Sequence, residues 1–400
     1  MAVDLEVNLT DQERQARDLA HRFAADVLRP AGRQLDALAD PADVIAANSI
    51  LWETFDKYRE SGLADMEGAT RDLSPFERAR VRALVSEELG WGDAGLAISL
   101  GVSNFHKTFA FMSGRPALIE RWCSPGVNEI GCWAVTEPDH GSDTLTVSEP
   151  HFDDPKVRPN CTATRDGDDY IIRGQKSAWV SNGTIATVAA LFCNIEPSQG
   201  FRGGGVAVVP LTLPGVTKGK PLNKLGQRAL NQGEIFFDDV RIPADYMVVG
   251  AENYAVALEQ ILTGANASMG IMFSGLARSA YELALDYARD RVQGGVPIIQ
   301  HQSVRSRLFK MFTKVEAARG LARRVIIYNG TNPPQLQYSI ASKVFCTNTA
   351  FEVASEALQI FGGNGLTKEF PIEKIMRDAR ASMIEDGCNE VLSIVGASRL

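Results

Sequence analysis

The stretch Ile130-Gly131-Cys132-Trp133-Ala134-Val135-Thr136-Glu137-Pro138-Asp139-His140-Gly141-Ser142-Asp143 is where the chain changes character. Before it, the signals are helical. Thr10 or Asp11 caps a helix expected to run to about Pro30, with Leu19, Phe23 and Val27 on one face. Helical signals continue through Leu51, Trp52 and Tyr58, and Ser74-Pro75 supplies an N-cap with proline at the first helical position. Residues 92–104 are small and apolar, suiting a tightly buried helix, and Pro116 opens another helical turn ending by Gly126. After the boundary, short β-type runs appear at 170–172, 188–192, 206–209 and 234–237, each bounded by Gly, Pro, Asn or Asp. Strands at that density predict a compact antiparallel sandwich or barrel. No strand is followed by Gly-x-Gly-x-x-Gly, so a Rossmann site is not expected, and Gly203-Gly204-Gly205 reads as a loop.

From Ala251 the pattern is helical again. Gly264, Gly270 and Gly275 interrupt a segment rich in Ala, Ser and Met. A mid-helix glycine costs about 1 kcal/mol against alanine, so close helix packing is the expected compensation. Val304, Leu308, Met311, Val315, Ala318, Ala322 and Val325 form a bundle seam. Pro333-Pro334 precedes a third helix carrying Leu336, Ile340, Val344, Phe351 and Leu358; shorter pieces follow Phe370-Pro371 and Gly387. The expected fold is α+β: an N-terminal helical domain over 1–130, a middle antiparallel β domain over 131–249 and a C-terminal helix-bundle domain over 250–400.

Four hundred residues exceed one ordinary core. With 41 Lys and Arg against 49 Asp and Glu, the net charge is −8 and no basic stripe accompanies it, which argues against nucleic acid. The six cysteines are dispersed without a Cys-x-x-Cys pair, as reduced thiols rather than a disulfide frame or zinc site. No signal-peptide pattern opens the chain, and no apolar run reaches the ~18 residues of a membrane span. A soluble, cytoplasmic protein with neither a metal nor a membrane partner is expected.

Four stretches carry potential chemistry. In Met383-Ile384-Glu385-Asp386-Gly387-Cys388-Asn389-Glu390, two adjacent carboxylates precede a glycine. Neighbouring side chains on a helix or turn diverge by about 100°, so only one can be aimed at a bound substrate. The loop from Thr136 to Asp143 reads either as an Asx/Pro turn or as a ligand-binding loop of hydroxyls and free amides. Lys176-Ser177-Ala178-Trp179-Val180-Ser181-Asn182-Gly183 places an indole two residues from a hydroxyl, on one side if the segment is a strand. That suits a flavin wall or a core Trp beside an Asn-Gly turn. Arg291-Val292-Gln293-Gly294-Gly295 and Gln359-Ile360-Phe361-Gly362-Gly363-Asn364-Gly365 both read as helix ends whose side chains or amides either cap the helix or hold phosphate.

Taken together and in this order, these stretches resemble the acyl-CoA dehydrogenases over nearly the whole chain. Val135-Thr136-Glu137-Pro138 with Gly141-Ser142-Asp143 is similar to that family's first signature, and Trp179-Val180-Ser181-Asn182-Gly183 to its flavin-facing Trp-Ile-Thr-Asn-Gly. His301-Gln302 and residues 359–365 are similar to its later signatures. The resemblance implies bound FAD, with Trp133, Val135, Thr136, Gly141, Ser142, Trp179, Ser181, Arg291, Gln293, Gln359, Gly363, Cys388 and Glu390 as cofactor contacts. Arg291 falls on an arginine that reaches the pyrophosphate across a subunit interface, and a homotetramer is implied. Ser142, Asn266 and Gly387 fall on substrate positions.

Counting back from Gly387 in the family's aromatic-Glu-Gly-Thr pattern places Asp386 at the catalytic base. The implied reaction is α,β-dehydrogenation of an acyl-CoA, with Asp386 taking the α-proton, flavin taking the hydride and an electron-transfer flavoprotein receiving the electrons. The chain departs from the pattern in several places. The base is one methylene short, Cys388 replaces Thr, Ser181 replaces Thr, Asn266 stands where many members carry Arg, and Gly294 replaces an aromatic. A base ~1.5 Å shorter favours acyl groups that are branched or cyclic near Cα. An oxidase of the same fold acting on nitroalkanes, an acyl-carrier-protein substrate and a non-catalytic flavin or acyl-CoA binder remain alternatives at this point.

Overall fold

The protein is described here by a computed structural model covering residues 5–124 and 126–400. Helix α1 (Asp11–Phe23) opens on a capping box, in which the Glu13 amide donates to the Thr10 hydroxyl and the Thr10 amide to the Glu13 carboxylate. The helical path does not end near Pro30. A π-helical turn, Ala24–Leu28, leads into α2 (Arg29–Asp36), which carries Pro30 in its first turn. Proline lacks an N–H and its ring collides with the carbonyl one turn back; the wider π turn moves that carbonyl aside. Short α3 (Pro41–Val44), α4 (Ile50–Glu60) and α5 (Met66–Ala69) follow. Then come α6 (Pro75–Gly92), capped by Ser74, and α7 (Ala94–Val102), α8 (Phe105–Ser113) and α9 (Pro116–Cys123).

The middle of the chain is one sheet of eight strands: β1 (Gly131–Ala134), β2 (Thr162–Asp166), β3 (Asp169–Lys176), β4 (Val188–Asn194), β5 (Gly204–Pro210), β6 (Val216–Lys218), β7 (Ile235–Pro243) and β8 (Met247–Val249). Their order is β6-β7-β3-β2-β4-β5-β8, with β1 on β4. Most pairs are antiparallel as expected, but β1 runs parallel to β4, and β2 touches β4 in the same sense. The long excursion through the β2–β3 hairpin supplies the crossover that a parallel pair needs. Residues 203–205 are not simply a loop, because β5 begins at Gly204. A Cβ there would sit 2.5 Å from the Tyr254 ring, so glycine lets the sheet end slide under the next helix.

That helix, α10 (Ala251–Asp290), is 40 residues long. The β9–β10 hairpin (Val292–Gln293, Val296–Pro297) follows, then α11 (Gln302–Thr331), α12 (Leu336–Phe361), α13 (Ile372–Ser382) and α14 (Asn389–Ala397). Leu308, Met311 and Val315 from the expected α11 seam enter the main core with Phe273 and Ala277 of α10 and Ala350 and Val353 of α12. A Cβ on Gly275 would meet the Glu87 carbonyl at 2.0 Å, and one on Gly270 the Ser342 hydroxyl at 2.2 Å. Gly264 is different: nothing lies within 4 Å, so close packing compensates at two of the three glycines only. Glu87 is buried on α6 and salt-bridged to Arg278, Arg319 and Arg323, clamping α6 to α10 and α11.

One polar junction ties all three parts of the chain together. Lys374 of α13 donates to Asp93, the cap of α7, at 2.6 Å and to Asp378 at 2.5 Å. Asp378 in turn accepts from the Gln227 amide of the β6–β7 connection. Arg377 adds a bidentate pair with Asp36 at the end of α2. Among the described residues no helix is long and apolar enough to cross a membrane, and no cluster of three or more His, Cys, Asp or Glu is arranged to hold a metal.

The two glycine environments lead to opposite expectations. Gly275→Ala should destabilise the protein by roughly 1–3 kcal/mol through overpacking. Gly264→Ala should stabilise it by up to about 1 kcal/mol through helix propensity. Urea unfolding midpoints of the two variants check this, and shifts of the same sign would contradict the packing described.

Candidate active site

Between α13 and α14 the chain reverses with its two carboxylates inside the turn. Asp386 takes φ 53° and Gly387 φ 94°. Asp tolerates the left-handed region better than most residues. Gly387 suits this position because its φ strains an L side chain, and a Cβ would lie 2.9 Å from both Leu145 and Leu392. The turn is pinned from two sides. The Cys388 amide donates to the Ser142 hydroxyl at 3.0 Å, joining it to the loop after β1. From α12, the fully buried Lys343 ammonium donates to the Gly387 carbonyl at 2.7 Å and to Asn389 Oδ1 at 2.8 Å. The Asn389 amide nitrogen donates onward to Thr347 and Asn348, at 3.0 Å each.

The two carboxylates diverge as expected. Glu385 accepts a 2.5 Å hydrogen bond from Gln227 Nε2 and so belongs to the junction with the sheet. Asp386 has no hydrogen bond among the described residues and keeps a partly open face. Burial pushes the Asp386 carboxyl up to about 6, with the Lys343 ammonium opposing the rise. Glu385 is pushed to about 7, first by burial and then by the charge of Asp386, with Gln227, Lys224 and Lys343 pulling the other way. Burial brings Lys343 down to about 8 against the pull of the same two carboxylates.

The second group of expected residues gathers at the edge of β1. Trp133 pairs through its backbone with Ser181, and Ser181 pairs on its other side with Gln232. Buried Lys176 donates to the Val135 carbonyl at 2.9 Å and to Glu137 at 2.6 Å, and the Ser177 amide donates to the Thr136 carbonyl at 2.8 Å. Trp179 and Ser181 do not lie on a regular strand. Beta3 ends at Lys176, Trp179 sits in a turn and Ser181 makes only isolated bridges. The Asn182 backbone, at φ 63°, breaks the run, and its side chain is held by Ser99. The Gly141 amide donates to Asp143, which also pairs with His140, and a short 3-10 turn starts at Ser142.

Arg291, Gln293, Gln359 and Gly363 form a separate, exposed patch where α10 and α12 end together. Tyr287 stacks on Phe361 at 4.0 Å between ring centroids; the Arg291 amide donates to the Tyr287 carbonyl, and the Gly362 amide to that of Gln359. Asn266 is buried in α10, with Nδ2 on the Leu262 carbonyl and Oδ1 without a partner among the described residues. Glu390 is exposed on the first turn of α14.

Lys343, Gln227, Lys224 and Gln232 escaped the sequence reading. For Lys343 the signal was present: it lies three residues after Ile340 and four before Thr347, on the buried stripe of α12. The residues around Ser181 suit a flat heterocycle. Trp179 leaves 58% of its surface open beside a hydroxyl, while Trp133 Nε1 and Ser177 Oγ are buried without partners among the described residues. The donors are carried on rigid backbone bridges.

Residues 132–240 match the model of the acyl-CoA dehydrogenase middle domain, and residues 254–400 that of the acyl-CoA dehydrogenase C-terminal domain. Cyclohex-1-ene-1-carbonyl-CoA dehydrogenase of Geobacter metallireducens is 32% identical over 318 residues, covering 78% of this chain and 80% of that protein. The chain belongs to the acyl-CoA dehydrogenase family. Butyryl-CoA dehydrogenase from Megasphaera elsdenii superposes with a TM-score of 0.85 at 27% identity, covering 98% of this chain and 99% of that one. A chain from the structure of the electron transferring flavoprotein of Acidaminococcus fermentans gives 0.85 and 27%, covering 98% of each. This acyl-CoA dehydrogenase is an FAD enzyme, and the residues around Ser181 fit that cofactor.

Burial raises the titration of Asp386, and Lys343 opposes that rise. An ammonium beside Asp386 favours its charged form, so removing it must raise the pKa. Lys343→Met should move titration of the Asp386 carboxyl above its value of about 6, read by isotope-edited infrared spectroscopy. Titration at an unchanged or lower pH would contradict the electrostatic role of Lys343.

Proposed function

We propose that Asp386 is the base that removes the α-proton of a CoA thioester in an FAD-dependent α,β-dehydrogenation. The observation that carries this reading is the division of labour in the turn. Glu385 is tied to Gln227, while Asp386 has no hydrogen bond among the described residues and keeps a partly open face. A general base works best with a pKa near the working pH, and burial has brought Asp386 from the ordinary carboxylate range to about 6. The Lys343 ammonium keeps the rise moderate, so the carboxylate is ionised at neutral pH.

Bound FAD supplies the hydride acceptor. The chain's own part is to hold the thioester between the open face of Asp386 and the wall at Trp179 and Ser181, and to exclude water there. We assign Trp133, Val135, Thr136, Gly141, Ser142, Trp179, Ser181, Cys388 and Glu390 to the cofactor within one subunit. Arg291, Gln293, Gln359 and Gly363 would serve a neighbouring subunit, a division supported by their exposure at the far end of α10 and α12. Exposed Phe309 on α11 and Tyr338 and Phe345 on α12 support a homotetramer. Ser142, Asn266 and Gly387 would line the substrate site. Electrons would pass to an electron-transfer flavoprotein, a partner supported by the likeness to the Acidaminococcus structure.

For the acyl group we favour chains branched or cyclic near Cα. The shorter reach of Asp386 supports this choice, as does the relative named for a cyclohexene carboxylate thioester.

Two measurements test these assignments. Asp386→Asn should cut anaerobic flavin reduction by acyl-CoA at least ~100-fold while FAD stays bound, and Glu385→Gln should cost less than tenfold. The reverse ranking would move the base to Glu385. Wild type should turn over a cyclic acyl-CoA with higher kcat/KM than a straight chain of equal carbon count, and Asp386→Glu should narrow or invert that preference. A wild type that prefers the straight chain would overturn the substrate assignment.

A further inference from the structure

We propose that Lys224 and Gln232 are positioning residues that fix the Ser181 hydroxyl as a hydrogen-bond donor toward the bound flavin. This rests on the reading that Ser181 faces the cofactor. It concerns how a hydroxyl, able to donate or to accept, is made to donate.

The polarity is set by a chain of bonds in which each partner dictates the next. Lys224 Nζ donates to the Leu230 carbonyl at 2.6 Å and to Gln232 Oε1 at 2.8 Å. An ammonium has donors only, so the Gln232 amide must turn its oxygen toward Lys224. Its nitrogen then lies at the other end, donating to Ser181 Oγ at 3.3 Å and to the Trp179 carbonyl at 3.2 Å. Ser181 Oγ therefore accepts from within the chain, and no acceptor for its own hydrogen exists among the described residues. Backbone bridges to Trp133 and Gln232 hold Ser181 on both sides, so the hydrogen can reach only a group presented at the open face beside Trp179.

The acidic turn acts on this chain through charge rather than through a further bond. Burial lowers the Lys224 ammonium to about 8, and the carboxylates of Glu385 and Asp378 are what favour its charged form. A neutral amine can accept as well as donate, and the amide would then be free to turn over. Glu385 stands where the family pattern has an aromatic residue. Its charge thus has a role that needs no contact with substrate: it keeps Lys224 a donor and, through Gln232, keeps Ser181 one too.

The test is the reduction potential of FAD in the holoenzyme, measured by anaerobic titration against a reference dye as a double-mutant cycle. Gln232→Glu presents an acceptor at both ends, so the Ser181 hydrogen should turn inward. The added charge also acts on the flavin, and combining Gln232→Glu with Ser181→Ala separates the two effects. Ser181→Ala alone should change the two-electron reduction equilibrium about tenfold, equivalent to about 30 mV. The effect of Gln232→Glu should be smaller by about that factor in the Ser181→Ala background than alone. Lys224→Met, which adds no negative charge, should show the same coupling, and Lys224→Arg should keep the wild-type potential.

Additive effects in both cycles would overturn the relay while leaving Ser181 as a flavin donor. A Ser181→Ala holoenzyme that retains FAD at an unchanged potential would overturn the relay together with the placement of Ser181 on the flavin.

Discussion

The Lys343 ammonium is enclosed in protein, and a buried cation must be surrounded by acceptors or give up its proton. Its acceptors are the Gly387 carbonyl and Asn389 Oδ1, two atoms of the turn that carries the carboxylates. That single requirement brings the turn against α12, places Asp386 and Glu385 in the field of a positive charge and fixes where α14 starts. The left-handed backbone at Asp386 and Gly387 follows from making so sharp a reversal around it. Glycine takes such a conformation freely, but at Asp386 it costs about 1–3 kcal/mol and persists only where the surroundings over-determine it. Here Lys343, Ser142, Leu145 and Leu392 do so.

Around the turn the protein uses buried charge for placement. Replacing buried ion pairs by apolar residues is often neutral or stabilising, so such pairs are weak evidence for stability. The Lys374–Asp93–Asp378 junction, the Glu87 cluster and the Lys176–Glu137 pair each join elements far apart in the chain. They hold an N-terminal helix cap, a loop of the sheet and a bundle helix in one register. The proposed catalytic turn and the proposed cofactor wall come from different parts of the chain, so chemistry between them would depend on that register.

Local signals were legible in the sequence and non-local ones were not. The Thr10 and Ser74 caps, the α11 seam and the reversal at Gly387 all follow from spacing over a few residues. The π turn before Pro30 escaped because its cause lies in how one carbonyl moves aside, which leaves no residue pattern. The parallel β1–β4 pair escaped because register between strands some fifty residues apart is set by packing. Trp179 and Ser181 read as strand from their residue types, whereas Asn182, gripped by Ser99, turns the backbone there. The family signatures marked the candidate cofactor and base positions, because those rest on residue identity. The second layer of Lys343, Lys224, Gln227 and Gln232 carries no signature; it acts through contacts that appear only once helix, sheet and turn are assembled.

The central claim is that Asp386 is the base that takes the α-proton. It is tested most directly with a CoA thioester that has α-hydrogens but no β-hydrogen, bound to the holoenzyme in D2O and followed by NMR. The wild type should exchange the α-hydrogens for deuterium, with a rate that falls as the pH drops through about 6, where Asp386 becomes protonated. Asp386→Asn should bind the same thioester and leave its α-hydrogens in place. Exchange at the wild-type rate in Asp386→Asn would contradict the account, because some other group would then be the base.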